Sequence, residues 1–295
     1  MASSRVLVTG ATGYIGGHLV RRLWDDGVQV YLLVRQDSVL SDEMLSRCTV
    51  YRDPGIEELA EHLTAQNIDC VYHLAGLFIN AHIPSQVTAL IDSNITFGTW
   101  LLEAMRLSGV SKIVAAGTTW EYFESDYSRS ANLYATTKRA FADFLAYYAD
   151  AYDMRCLSLK ICDTYGPNDF RPKLVNLLFR QIGVSAPLDV TLGEQFLDLV
   201  YISDVVEGVL AAGAQLEEAG SGFYEAALSS GLPLPVKDIV VALESVLQKK
   251  LSLNFGGRPY GNREIFSPYS AGISPLNWHP KISLKDGFSA ILNSL

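Results

Sequence analysis

Val6-Leu7-Val8-Thr9-Gly10-Ala11-Thr12-Gly13-Tyr14-Ile15-Gly16 stands at the start of the chain. An apolar run leads into glycines spaced by three, and then into a stretch with helical periodicity. That order reads as a strand, a tight turn and a helix start. Gly10, Gly13 and Gly16 let the backbone turn sharply and approach a phosphate without a Cβ in the way. The free N–H groups of a helix start attract an anion. With Thr12, Tyr14 and Ile15, this segment is the expected seat of a dinucleotide pyrophosphate.

Working outward, strand-like and helix-like segments alternate. Strands are predicted at 5–8, 28–34, 49–52, 68–75, 112–116 and 156–161, and helices at 14–26, 56–66, 84–108 and 133–152. The run VQVYLLV at 28–34 is almost wholly apolar, as in a strand covered on both faces of a parallel sheet. The pattern predicts an α/β fold, a Rossmann-like doubly wound parallel sheet with its ligand beyond the strand C-termini. After Gly166-Pro167 the pattern loosens, with prolines from Pro187 to Pro280 and one clear amphipathic helix at 236–249. The expected division is a cofactor domain at 1–167, to which later segments return, and a smaller α/β substrate-binding lobe at 168–295.

Tyr134 and Lys138 carry the second signal. Residues four apart share a helix face, and a nearby ammonium favours the phenolate. The phenol is therefore expected to exchange a proton with a carbinol or carbonyl near neutral pH, although its reference pKa is ~10. A nucleotide cradle with a proton-exchanging phenol implies hydride chemistry.

The end of the second strand names the cofactor. About twenty residues past the glycines, an NAD site normally supplies a carboxylate to the adenosine ribose. Here Val34 is followed by Arg35. A guanidinium suits a 2′-phosphate, so NADP(H) is expected.

Bulk composition narrows the partners. With 32 acidic against 23 basic residues the net charge is −9, and the cations form no run. This argues against nonspecific binding to nucleic acid or to an anionic membrane. No apolar run approaches the ~18 residues that span a bilayer, and Arg5 leads directly into the first strand, so a soluble cytoplasmic protein is expected. Cys48, Cys70, Cys156 and Cys162 lack metal-site spacing and read as free thiols in or beside strands, with no metal expected.

Together these motifs resemble the extended branch of the short-chain dehydrogenase/reductases, the NAD-dependent epimerase/dehydratase family. The resemblance covers nearly the whole chain, strongly to Pro167 and loosely beyond. It implies a catalytic set of Thr118, Tyr134 and Lys138, with Thr119 as the adjacent alternative hydroxyl. It implies that Asp53 contacts the adenine, that Leu74, Ala75 and Gly76 lie under the cofactor ribose, and that Asn94 supports the site. Family 4,6-dehydratases carry an acid and a base where this chain has Thr119 and Trp120, so loss of water is not expected. Asp163 stands where many relatives have asparagine, and Lys173 and Asn176 follow as candidate substrate contacts. Leu197 replaces a family arginine, a loss that Arg258 or Arg263 is placed to offset. Residues 276–280 resemble a closing structural element.

Gly-Thr-Thr-Trp at 117–120, Asp-Thr-Tyr-Gly-Pro-Asn-Asp at 163–169 and Arg-Pro-Lys at 171–173 look most like the subgroup containing CDP-abequose and CDP-paratose synthases. The resemblance implies NADPH-dependent reduction of a nucleotide-linked 4-keto-6-deoxy sugar. The alternative is a sugar-nucleotide 4-epimerase, which uses the same three residues and retains NAD. It also implies a homodimer built on the helices at 84–108 and 133–152. The nucleotide base stays open among CDP, dTDP, GDP and UDP, because base contacts come from the loosely matching lobe.

Overall fold

A computed structural model describes residues 4–126, 128–269 and 278–295. Seven strands form one sheet in which every neighbour pair is parallel: β1 (Arg5–Thr9), β2 (Gln29–Val34), β3 (Thr49–Arg52), β4 (Cys70–His73), β5 (Lys112–Thr118), β6 (Arg155–Ile161) and, from late in the chain, β11 (Gly222–Leu228). Three two-stranded ribbons lie beside it: β7 (Asp163–Tyr165) with β10 (Leu199–Tyr201), β8 (Leu188–Val190) with β13 (Leu253–Phe255), and β9 (Phe196–Leu197) with β12 (Leu234–Pro235). The helices are α1 (Tyr14–Asp25), α2 (Asp42–Arg47), α3 (Ile56–Gln66), α4 (Val87–Ile91), α5 (Phe97–Ser108), α6 (Leu133–Ala151), α7 (Leu174–Arg180), α8 (Ile202–Glu218), α9 (Val236–Leu247) and α10 (Leu284–Leu292).

Alternation along the strands explains the two layers of helices. Val6 and Val8 of β1 enter the core under α1 and α8, while Leu7 between them enters the core under α3, α5 and α6. β2 repeats this with Val30, Leu32 and Val34 on one face and Tyr31 and Leu33 on the other. Both faces are covered, so the strands read as continuous apolar runs. A third core, around Leu178, Ile239, Leu243 and Phe288, holds α7, α9 and α10 together.

The sheet order is β11-β6-β5-β4-β1-β2-β3. The chain winds outward from β1 through β2 to β3, then returns to β4 on the other side of β1. This reversal opens a crevice at the C-terminal ends of β1 and β4, where ligands of such sheets bind. Thr9 and His73 are the last paired residues there, and the Thr9 hydroxyl meets His73 Nδ1 at 2.8 Å while accepting from the Ala75 N–H at 3.2 Å.

One expectation needs correction, and two further points go beyond what the pattern showed. The helix predicted over 84–108 is interrupted: a 3₁₀ turn at Pro84–Gln86 precedes α4, and a π-helical segment at Asp92–Thr96 separates α4 from α5. Apolar periodicity cannot register one extra residue in a turn, whereas a buried polar side chain can demand it. The helix α2, capped by the Ser41 hydroxyl accepting from the Met44 N–H at 3.2 Å, was not predicted because six residues are too few to show a period. β11 and α8 come from the stretch in which the pattern loosened, yet β11 pairs with β6 over seven residues to complete the sheet. Leu276 and Asn277 of the closing element, with Pro275, lie outside the described residues.

Candidate functional site

The glycine turn comes first because it shapes the floor. Gly10 has φ +74°, and a Cβ there would sit 2.6 Å from the Ala75 nitrogen, so only glycine closes the turn against the segment after β4. Gly13 caps α1 without a side-chain acceptor, and the first turn carries no acidic residue. The leading N–H groups of α1 are therefore left for an anion. Arg171 adds positive charge, its guanidinium 4.6 Å from the Tyr14 ring centroid while Asp169 pairs with its Nε at 2.7 Å. A close-fitting glycine cradle, uncapped donors and a facing cation fit a dinucleotide pyrophosphate.

Above this floor lies a cavity of about 240 Å³. Gly10, Gly13, Tyr14, Ile15 and Gly16 line it from the turn, Leu74 and Gly76 from beyond β4, Thr118 and Trp120 from the end of β5, Tyr134 and Lys138 from α6, and Asp163 and Lys173 from the lobe side. Thr12 is exposed on the same turn. Two elements thus bring the hydroxyl, phenol and ammonium to one wall although Thr118 and Lys138 are separated by 19 intervening residues.

Local chemistry sets each group. Asn132 caps α6 by accepting from the Ala135 N–H at 2.9 Å, which starts the helix two residues before Tyr134. One turn later Lys138 is buried, and its ammonium reaches the Ala75 carbonyl at 3.5 Å. Asn94, 1% exposed, occupies the π-helical segment. Its Oδ1 accepts from the Leu77 N–H at 2.7 Å, and its Nδ2 donates to the Leu77 carbonyl and to Thr137 Oγ1, each at 3.0 Å. The extra residue of a π turn is what aims this amide inward, a recurrent use of such turns at functional sites.

The phenol behaves differently from expectation. Loss of water raises the Tyr134 pKa above its ordinary value, the charges of Glu121 and Asp163 raise it further, and Arg171 opposes them. Lys138 is not among the groups that shift it, and burial lowers the Lys138 pKa itself from 10.5 to about 8. Burial therefore favours a protonated phenol at Tyr134 and weakens the ammonium of Lys138. That is the state of a proton donor.

Thr118 closes β5 and caps the 3₁₀ turn Thr119–Glu121. Its Oγ1 accepts from the Trp120 N–H at 3.3 Å, which leaves the hydroxyl hydrogen to donate. Thr119 lines a separate small cleft with Cys162, Leu197 and Asp198. Of the two hydroxyls, Thr118 is the one on the Tyr134 cavity. Phe78 was missed by sequence reasoning, since an aromatic in a loop carries no pattern. It stands edge-on to Trp120, with ring centroids 5.8 Å apart. Lys173 lies 4.6 Å from the Phe78 ring centroid and pairs with Asp163 at 2.6 Å.

The remaining predicted residues fall in three places. Arg35 is exposed beyond β2, its Nε 3.5 Å from Asp37, and its loop is held from β3. There Asp53 accepts from the Gln36 N–H at 2.6 Å, and Arg52 donates to the Gln36 and Ser38 carbonyls at 3.1 and 3.0 Å. Asn176 is buried and donates to the Arg171 carbonyl at 2.8 Å, so it shapes the cation-bearing loop and does not face the cavity. A second cavity of about 550 Å³ shares Trp120 with the first and is lined by Leu197 and Arg263. Arg263 donates to the Ser130 carbonyl at 2.5 Å. Arg258 is exposed beyond β13, its backbone N–H bonds the Val190 carbonyl at 3.1 Å, and it is not among the residues that line these two cavities. The ribbon of β8 with β13 carries it away from the crevice.

Free cysteines are found at all four positions, with burial pushing Cys70 and Cys156 up to about 12. Among the described residues no group of three or more His, Cys, Asp or Glu is arranged to hold a metal ion, and no helix is long and apolar enough to cross a membrane.

Comparison with known proteins agrees with this geometry. CDP-abequose synthase of Yersinia pseudotuberculosis is 28% identical over 268 residues, covering 90% of this chain and 91% of that protein. UDP-glucuronate 4-epimerase of Thermodesulfobacterium geofontis is 29% identical over 317 residues, covering 97% and 94%. The solved structure of UDP-glucuronic acid 4-epimerase from Bacillus cereus, in complex with UDP-glucuronic acid and NAD, superimposes with a TM-score of 0.81 at 24% identity, covering 98% of each chain. The NAD dependent epimerase/dehydratase family model matches residues 6–226, a span that starts in β1, ends inside β11 and so reaches every strand of the sheet. The glycine turn at the switch point and the Tyr134/Lys138 helix lie within that match, and the chain belongs to the NAD dependent epimerase/dehydratase family.

Proposed function

We propose that this protein reduces a nucleotide-linked 4-keto-6-deoxy sugar to the 4-hydroxy sugar with NADPH. The observation that carries the reading is the meeting of Thr118, Tyr134 and Lys138 on one wall of the cavity over the glycine turn. When bound, the reduced nicotinamide supplies the hydride. Thr118 donates a hydrogen bond to the 4-keto oxygen, and Tyr134 gives that oxygen its proton as it becomes an alcohol. Lys138 holds the nicotinamide ribose. Asn94 keeps the α6 wall in register through Thr137.

Several features favour the exchangeable phosphate-bearing cofactor. Val34 is buried in the core, so the strand end carries no carboxylate for the ribose, and Arg35 is the first side chain to leave the sheet. The likeness to CDP-abequose synthase over 90% of the chain supports a ketoreductase. Trp120 beside Thr118 carries no titratable group, which fits reduction without loss of water. We assign the sugar nucleotide to the two cavities that meet at Trp120, and residues 168–295 mainly to its recognition.

A second reading is sugar-nucleotide 4-epimerisation with retained NAD, favoured by the 29% identity to a UDP-glucuronate 4-epimerase. Incubation with C4-deuterated NADPH separates the two. The reductase places deuterium at C4 of the sugar and releases one equivalent of NADP⁺. Interconversion of ordinary hexose nucleotides without net NADPH oxidation would overturn it. Exposed Trp100 on α5 and exposed Phe144 and Tyr147 on α6 support a homodimer through these helices, which light scattering on wild type and Tyr147→Glu tests.

A further inference from the structure

Behind Thr118 lies a charged cluster that nothing in the proposed chemistry uses. Glu121 is fully buried, and Lys160 is 1% exposed. Lys160 Nζ donates to Glu121 Oε2 at 2.5 Å and to Ser158 Oγ at 2.9 Å, and lies 2.8 Å from Glu225 Oε1. The Tyr122 hydroxyl donates to both oxygens of Glu225, at 3.0 and 3.1 Å. The other oxygen of Glu121 accepts from the Thr118 N–H at 2.8 Å. Three neighbouring strands thus converge: Thr118 from the end of β5, Ser158 and Lys160 from β6, and Glu225 from the middle of β11.

The local form is a capping box, Thr118-Thr119-Trp120-Glu121, in which hydroxyl and carboxylate cap each other's backbone. Ordinary boxes sit in water, where the carboxylate costs nothing to ionise. This one has been taken out of water and given a buried lysine as counter-ion. A buried ion pair gains little or no net stability over apolar residues of the same volume, so stability alone does not account for it. Gly117 makes the room: a Cβ there would lie 2.6 Å from Glu121 Oε1 and 3.1 Å from Lys160 Cδ. Gly117 is also the residue paired with Lys160 across β5 and β6.

We propose that Glu121 and Lys160 are positioning residues: the buried pair grips the Thr118 backbone N–H and thereby aims the Thr118 hydroxyl into the Tyr134 cavity. A carboxylate free to rotate would let the turn Thr119–Glu121 swing, and with it the hydroxyl that caps it. Lys160, fixed by Ser158 and Glu225, removes that freedom. The two charges act oppositely on Lys138, Glu121 raising its pKa and Lys160 lowering it. Glu121 also raises the Tyr134 pKa, so position is read from two variants that remove the same charges and differ only in the acceptor left for the Thr118 N–H. The inference rests on the assignment of Thr118 as the hydrogen-bond donor to substrate.

Two double variants separate positioning from simple support. Glu121→Gln with Lys160→Met keeps an acceptor for the Thr118 N–H, whereas Glu121→Leu with Lys160→Met removes it; both avoid a lone buried charge. The Leu/Met variant should keep its NADPH affinity, lose some melting temperature to the unpaired Thr118 N–H, lose kcat by up to about 100-fold, the scale of a misplaced group, and exchange the Thr118 amide faster than wild type. The Gln/Met variant, which keeps the acceptor but loses its Lys160 anchor, should fall between wild type and the Leu/Met variant in both kcat and amide exchange. In a Thr118→Ala background the Leu/Met pair should cost little more, because the hydroxyl it positions is gone. Wild-type amide protection at Thr118 in the Leu/Met variant, or equal losses of kcat with and without the Thr118 hydroxyl, would overturn the proposal. Reductase and epimerase both use Thr118, so kcat is read on whichever reaction the enzyme runs, and amide exchange is independent of both.

Discussion

Phe78 stands edge-on to Tyr134, ring centroids 5.0 Å apart and planes at 80°. The contact holds the phenol ring by its face and edge, independently of its hydroxyl. Tyr134→Phe therefore keeps the packing and deletes only the proton donor. Turnover should fall by about 10²–10⁴, with NADPH binding and melting temperature unchanged. Near-normal turnover would remove Tyr134 from the chemistry.

Arg35 tests cofactor choice. Its side chain is 80% exposed and shares only a 3.5 Å contact with Asp37, so it is available to a 2′-phosphate. A charge-assisted hydrogen bond contributes about 1.5–3 kcal/mol, or roughly ten- to a hundredfold in affinity. Titration of Arg35→Ala should show that loss for NADPH and almost none for NADH. Equal losses for the two cofactors would place the phosphate elsewhere.

Lys138 should impose a limb on the pH profile. Burial is the largest cause of its pKa falling to about 8, with Lys160 adding to it and Glu121 opposing. The ammonium proposed to bond the ribose is thus lost as pH rises through about 8, and kcat/KM should decline above that point. Lys138→Met should be slow throughout and lack this limb. A wild-type profile flat to pH 10 would contradict the assignment.

His73 should shape acid stability. Burial, and then the charge of Lys138, lowers its pKa from 6.5 to about 3, and Nε2 has no partner among the described residues. The unfolded chain takes up this proton below pH 6.5 while the folded chain refuses it until about pH 3. Stability is thus full above 6.5 and falls by about 1.4 kcal/mol per pH unit on the way down. Denaturant titrations at pH 7, 6 and 5 should give that slope in wild type and a shallower one in His73→Phe. Identical slopes would exclude His73 as the source.

How much of this was legible without tertiary structure follows from range. The glycine turn, the parallel strands β1 to β6 and the Tyr134/Lys138 spacing are written within a few residues of one another, where backbone sterics and periodicity act. Their ends were misjudged by at most two residues, as at β5, which runs on to Thr118. Glu121 too had a local signature, the Thr-x-x-Glu of a capping box, and it went unread because no exposed helix follows it.

What only the fold decided joins distant segments. Phe78 meets Tyr134 across 56 positions, and Lys160 meets Glu225 across 65. The π turn at Asn94 exists because a buried amide must reach Leu77 and Thr137, a demand that neither segment announces by itself. The phenol's raised pKa is of the same kind, since desolvation depends on everything packed around a group and not on its helical neighbour four residues away. Sequence alone determined which chemical groups the site contains and the sheet that carries them. Burial, a sum over the whole chain, decided their charge, their aim and which of the candidate cations face the cavity.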